Sequence, residues 1–160
     1  MLIAHSKISG KGIFAARSAR KGQLLLTMKG AIRHKRYRAR VGLRWAKNWV
    51  AIGHDLWIDP KFPIRYMNHC CEPNAGFRSP TRLYALRDIE AGEEITFDYS
   101  AVDPELHWSM PCNCEALICR ASIRSIQFLP DHVYRRYLPY VPVPHRRLRQ
   151  KSARATAESN

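Results

Sequence analysis

The sequence predicts a mostly β fold of short strands with few helices. β-Prone apolar runs of strand length recur through the first hundred residues, and glycine-containing turns separate them. No long amphipathic helical pattern precedes residue 131. Many short strands with little helix to cover them favour small packed sheets over an α/β layering.

In chain order, Gly10-Lys11-Gly12-Ile13-Phe14-Ala15-Ala16 reads as a turn leading into a strand. Gly22 punctuates, and Gln23–Met28 is a second apolar run of strand length. Residues 33–47 are intensely basic and form either a surface helix or an ordered insert. Trp49–Ile52 and Leu56–Asp59 flank the turn residues Gly53-His54-Asp55, a β-hairpin pattern. Arg82–Leu86 is a strand, Glu90–Glu93 a turn, and Glu94–Tyr99 a further strand. Asp131 caps a short helix running to Leu138. Pro139, Pro142 and Pro144 then break regular structure, and 146–160 read as a basic disordered tail.

At 160 residues the chain forms one domain, long enough to bury a core without disulfides. Its 46% apolar content is ordinary for a soluble protein. No apolar run approaches the roughly 20 residues that cross a bilayer, so no membrane partner is expected. Met1–Lys7 lacks the basic-then-apolar pattern of a secretory signal. An intracellular protein is expected, cytoplasmic in a prokaryote or nuclear in a eukaryote. In that reducing setting five cysteines, three of them between positions 112 and 119, read as metal ligands before disulfides.

The net charge of +14 is unevenly spread. Residues 1–54 hold 13 Lys/Arg and no acid, residues 55–131 hold 12 acids and 7 bases, and residues 132–160 hold 7 bases and one acid. The basic flanks 1–54 and 132–160 are candidates for nucleic-acid contact, and a solvated basic surface fits them equally. The acidic middle favours a cationic ligand.

The densest chemistry lies in Arg65-Tyr66-Met67-Asn68-His69-Cys70-Cys71-Glu72-Pro73-Asn74. It sets two amides, an imidazole and a thiol beside a proline-stiffened turn. Glu94-Ile95-Thr96-Phe97-Asp98-Tyr99 ends in an aromatic-acid-aromatic triplet. Cys112-x-Cys114-x4-Cys119 supplies three soft thiolates from one loop, whereas a structural zinc takes four ligands. Among the remaining cysteines, Cys70 or Cys71 is left for the fourth. Taken singly, Gly10-Lys11-Gly12 is a plain turn, His69 a core histidine and Tyr99 a strand aromatic.

Together and in this order, these motifs resemble the SET-domain protein lysine methyltransferases with a post-SET zinc site. The likeness runs roughly from Ile8 to Ile123. It implies several small β-sheets and a pseudoknot, formed where the C-terminal segment threads near the Asn-His motif. It divides the chain into a SET domain over 1–108, a post-SET zinc-binding segment over 109–128, a short helix with a Pro-rich connection over 129–145, and the tail. The implied activity is methyl transfer from S-adenosylmethionine to a lysine of a protein substrate, a histone or another nucleoprotein, presented on a basic lysine-containing segment that the acidic middle suits. Tyr99 takes the catalytic role. Gly10, Lys11, Gly12, Arg65, Asn68, His69 and Tyr99 hold the cofactor, with the glycine turn allowing close backbone approach.

Phe97, Tyr66 and Trp49 are the implied channel walls, and Trp45 and Trp57 are further aromatic candidates for cation–π contact. A Phe at position 97 implies room for di- or trimethylation. Zinc is assigned to Cys71, Cys112, Cys114 and Cys119, with Cys70 at a variable position. The chain departs from the family pattern at Glu115 and Ala121, which stand where glycines are common, and at Trp49, which stands near a usual tyrosine. A competing reading is a catalytically silent, zinc-stabilised module that holds nucleic acid or an acidic partner. The joint presence of Tyr99, Asn68, His69 and the glycine turn favours the enzyme, since a scaffold needs none of them.

Overall fold

Short strands dominate the computed structural model, which describes residues 1–42, 48–53 and 55–158. Arg44, Trp45 and Lys47 of the basic insert, and His54 of the hairpin turn, lie outside the described residues. The elements in order are β1 (Leu2–His5), β2 (Lys11–Phe14), β3 (Leu24–Thr27), β4 (Gly30–His34), α1 (Lys35–Val41), β5 (Val50–Ala51) and β6 (Leu56–Pro60). There follow β7 (Ala75–Ser79), β8 (Arg82–Ala85), β9 (Glu94–Ile95), β10 (Ser109–Pro111), β11 (Ser122–Arg124), α2 (Asp131–Tyr137) and α3 (Val143–Glu158).

The strands form three three-stranded sheets, ordered β1-β2-β9, β3-β8-β7 and β4-β6-β5, and one hairpin, β10-β11. The predicted hairpin is present, with Val50 opposite Ile58 and Ala51 opposite Trp57. The basic insert begins as helix α1, whose N-terminus is capped by His34 accepting the Arg36 N–H. The sheets meet on a shared core that includes Ile13, Met28, Ile58, Phe77, Leu83 and Ile95, all at most 2% exposed. No helix among the described residues is long and apolar enough to cross a membrane.

The expected strand over Glu94–Tyr99 is shorter than its pattern suggested. Ladder pairing with β2 stops at Ile95. Thr96 and Phe97 turn to a different partner: Phe97 N–H donates to the Asn68 carbonyl, and Cys70 N–H donates to the Phe97 carbonyl. His69 and Phe97 form an isolated parallel bridge. Asp98 then starts a 3₁₀ turn by accepting the Ser100 N–H at 2.9 Å. Asn74 pins the crossing, donating to Glu93 and to the Glu94 carbonyl and accepting the Thr96 N–H at 2.9 Å. The 68–75 segment is thus tied along 94–97 by hydrogen bonds from both backbone and side chain.

The tail expected to be disordered is instead helix α3. Pro144 falls in its first turn, where no intrahelical N–H bond is required, so the proline starts the helix and does not break it. Asp131 likewise lies within the first turn of α2, with Pro130 at the cap position. The two helices close a second core of Ala101, Ile126, Leu129, Val133, Tyr137 and Val141, with Leu148 packed on it.

His145 anchors α3 with its side chain 1% exposed, its ring close to the Val102 backbone but outside good hydrogen-bond geometry. Burial pushes its pKa down to about 4, with the Val102 backbone opposing. The unfolded chain therefore takes up this proton first, near pH 6.5. Stability is full above that value and falls as pH drops towards 4, by about 3 kcal/mol from this residue. Asp103 acts oppositely in the same window, because burial raises its pKa to about 7. The readout is therefore the difference between wild type and His145→Gln in urea-unfolding midpoint against pH. A shallower acid loss in the variant is expected, and parallel curves would refute the assignment.

Candidate active site and thiol cluster

A cleft of about 620 Å³ opens between the Gly10 turn, the 64–69 segment, Tyr99 and the β10–β11 hairpin. It gathers Gly10, Lys11, Arg65, Asn68, His69 and Tyr99, together with the expected wall residues Trp49, Tyr66 and Phe97. Gly12 is not among its lining residues. The two glycines serve different needs. Gly10 has φ of +51°, a conformation that L side chains rarely adopt. A Cβ on Gly12 would lie 2.2 Å from Glu94 Oε1, so its smallness serves Glu94 and not a ligand. Asn68 holds this turn from behind, donating to the carbonyls of Ser9 and Lys11 and to Glu94.

Sequence reading missed several lining residues. Trp108, Met110 and Asn113 come from the C-terminal segment, and Arg38 from α1. The Arg38 guanidinium lies 3.9 Å from the Trp57 ring centroid, so that face of Trp57 is already covered by a cation. Arg38 was legible only as one of many basic residues. Lys11 sits 5.7 Å from the Tyr66 centroid.

Tyr99 packs 4.9 Å from Phe97 and 5.3 Å edge-on from His69, ring centroid to centroid. Phe97 is wedged against Phe77 at 5.2 Å. The Tyr99 hydroxyl donates to the Met67 carbonyl at 2.7 Å. Its single proton is thereby committed, and the oxygen keeps its lone pairs as an acceptor. Burial, with Glu94 nearby, holds this phenol well above its usual pKa. It is a neutral hydrogen-bonding group at physiological pH and not a base.

Behind Tyr99 lie the thiols. Ligand atoms of His69, Cys71, Cys112 and Cys114 all lie within 4.8 Å of one another. Zn–S bonds near 2.3 Å in a tetrahedron set sulfurs roughly 3.8 Å apart, and Cys71 Sγ lies 3.8 Å from Cys112 Sγ. Backbone N–H groups of Cys71 and Arg120 point at Cys114 Sγ and Cys71 Sγ, both at 3.4 Å. Such donors stabilise thiolate. Burial pushes the Cys114 thiol up, but bonds from the Cys71 and Ala116 backbones and from Cys112 and Cys119 outweigh it and draw its pKa down to about 7. Burial raises Cys112 and Cys71. The donor set and spacing fit a structural zinc.

Cys119 also lies against Cys112 and Cys114, outside the closest set. His69 takes its place there, with Nε2 3.4 Å from Cys71 Sγ. Its other nitrogen, Nδ1, accepts the Tyr99 N–H at 3.1 Å. Burial lowers the pKa of His69 to about 4, with Asp98 opposing and Arg120 assisting, so the ring is neutral and carries one proton. With Nδ1 accepting, that proton sits on Nε2 and points at the Cys71 sulfur. The 3.4 Å approach of Nδ1 to Asp98 does not reverse this assignment. Asp98 is already served by Arg120, Ser100 N–H and Tyr137. Nε2 thus donates to the Cys71 sulfur, and Cys119 stands beside this set, against Cys112 and Cys114. Burial pushes Cys70 up to about 11, and its sulfur accepts the Glu72 N–H.

Comparison with known proteins decides the family. The family model described as SET domain matches residues 10–100. The chain belongs to the SET-domain family. It is 28% identical over 134 residues to histone-lysine N-methyltransferase set1 of Dictyostelium discoideum, covering 74% of this chain and 9% of that protein. It is 28% identical over 137 residues to the Saccharomyces cerevisiae histone-lysine N-methyltransferase described as H3 lysine-4 specific, covering 75% and 13%. The chain thus spans a small part of the length of these relatives. Its fold is similar to a chain in a humanized mutant of the Chaetomium thermophilum Polycomb Repressive Complex 2 bound to the inhibitor GSK126. That match has TM-score 0.54 and 24% identity, over 64% of this chain and 15% of that one.

Between β10 and β11, Glu115 and Ala121 carry φ of +53° and +59°. Both residues adopt the left-handed backbone form that favours glycine, and their side chains bear the steric cost. Ala121→Gly is expected to stabilise the loop by about 1 kcal/mol, raising the melting temperature and slowing loss of metal to a chelator. An unchanged or lowered melting temperature would contradict this.

Proposed function

We propose that this SET domain transfers a methyl group from S-adenosylmethionine to a lysine side chain of a protein. The carrying observation is the half-buried Tyr99 at the wall of the cleft, its hydroxyl proton held by the Met67 carbonyl. The names of its relatives support the same chemistry. The bound cofactor supplies an electrophilic methyl on a sulfonium.

The chain's own residues do the rest. Gly10, Lys11, Arg65, Asn68 and His69 form the cofactor side, and Gly12 keeps the turn close to Glu94. A free lysine amine has a pKa of about 10.4 and must shed its proton before it attacks. The cleft carries Lys11, Arg38 and Arg65 against one buried acid, Asp103. That positive surround and the aromatic walls favour the neutral amine. The Tyr99 oxygen accepts an N–H of the amine and aims its lone pair, which supplies rate through orientation. Phe97, Tyr66 and Trp49 wall the channel, and the apolar Phe97 leaves room for more than one methyl.

Cys71, Cys112, Cys114 and Cys119 would hold a structural zinc that secures the segment carrying Trp108, Met110 and Asn113 over the cleft. Cys70 stays a thiol. The protein substrate is not required to be basic, because the acids of the middle region are mostly used internally. Glu94 serves Ser6 and Asn68, Asp98 serves Arg120, Glu93 serves Arg87 and Glu105 serves Lys35.

The test is transfer of labelled methyl from S-adenosylmethionine by zinc-loaded protein to a cell extract and a histone mixture, followed by acid hydrolysis. Label recovered as methyllysine from discrete bands is the expected result. No label, together with no binding of S-adenosylmethionine by folded protein, would refute the reading.

A further inference from the structure

Helix α3 carries a stripe of cations on a single face. Arg147, Lys151 and Arg154 are exposed and recur at i, i+4 and i+7, so they share one face, with exposed Gln150 between them. Among the described residues none of these three cations makes an ion pair. The helix is held firmly from its other side. His145 is buried, Leu148 packs on the second core, and Arg149 donates to the Ile126 carbonyl at 2.8 Å and pairs with Asp131. Arg149 also lies 4.7 Å from the Tyr134 ring centroid, which ties α3 to α2. On α2, Arg135 and Arg136 are exposed as well.

We propose that the exposed face of α3 binds the phosphate backbone of duplex DNA without sequence preference, and that the enzyme thereby acts on proteins seated on DNA. The second half rests on the methyltransferase reading; the first does not. The stripe from Arg147 to Arg154 spans roughly 10 Å of helix, about the axial rise of three phosphates along one strand. Arg guanidinium groups match phosphate oxygens in pairs. The stripe carries no aromatic side chain on which bases would stack, which separates it from single-strand binders. A helix fits the wide major groove of B-form DNA and not the deep, narrow one of A-form RNA.

The test uses the full chain and a labelled 20-base-pair DNA of random sequence, with binding followed by fluorescence anisotropy from 50 to 200 mM salt. Wild type should show a linear fall of log affinity with log salt. The triple variant Arg147→Gln, Lys151→Gln, Arg154→Gln should bind about tenfold or more weakly and lose about 3 from the slope. A control triple, Arg17→Gln, Arg20→Gln, Lys29→Gln, removes equal charge from exposed residues elsewhere and should bind nearly as wild type.

Equal weakening in both triples would overturn the proposal, as would no weakening in the α3 triple. So would single-stranded DNA or duplex RNA binding as tightly as duplex DNA. Methylation of a histone mixture, free and assembled on DNA, tests the second half. The α3 triple should keep the wild-type rate on free protein and lose any preference for the DNA-bound form. Equal wild-type rates on both forms would overturn that half. Anisotropy reads DNA binding whether or not methyl transfer is ever seen, so the two failures stay distinct.

Discussion

Tyr99→Phe is expected to lower kcat for methyl transfer by about 10²- to 10³-fold, with little change in cofactor affinity. The variant keeps the ring, and with it the contacts to Phe97 and His69. It loses one hydrogen bond, to the Met67 carbonyl, which is worth about 1 kcal/mol. Melting temperature should therefore shift by a few degrees at most while turnover collapses. The phenol is held neutral, so its ionisation should not appear in the pH–rate profile of the wild type. The rise of rate with pH should follow the substrate amine and persist, scaled down, in the variant. A kcat within threefold of wild type would remove Tyr99 from the chemistry.

The second large effect concerns the thiols. Purified protein should contain one zinc per chain, and Cys114→Ser or strong chelation should remove it. Structural zinc binding is worth about 10 kcal/mol or more, far beyond what the small β10–β11 hairpin gains by packing. The hairpin carries part of the cleft wall, and Trp108 stands just before it. Its release should abolish S-adenosylmethionine binding and speed hydrogen exchange at Met110 and Ile123. The first core, around Ile13, Phe77 and Leu83, should stay protected, because none of its residues depends on the thiol loop. Full metal content with unaltered exchange in Cys114→Ser would show that these sulfurs are not ligands.

Local chemistry was the legible part of this chain. The β5–β6 hairpin follows from two β-prone runs around a glycine turn, and the three-cysteine loop from ligand spacing. What escaped was non-local. Nothing in Glu94–Tyr99 announces that Thr96 and Phe97 leave β2 for the 68–75 segment, because the alternation of a strand is the same whichever partner it meets. The Arg120–Asp98–Tyr137 cluster that ties the cysteine loop to the residue before Tyr99 joins three separate segments. α3 was misread for a different reason, because a proline stops a helix in its interior and starts one in its first turn.

The pairing of Ile13 with Ile95 has a consequence for synthesis. At roughly 5–20 residues per second, β2 leaves the ribosome several seconds before β9 is made. Through that interval Ile13 has β1 on one side and an open strand edge on the other, although it is fully buried in the finished protein. The Asn-His segment waits likewise for Thr96 and Phe97. No truncated chain ending before residue 95 can assemble the cleft, so nascent chains stalled in this window present an apolar strand edge to chaperones and proteases.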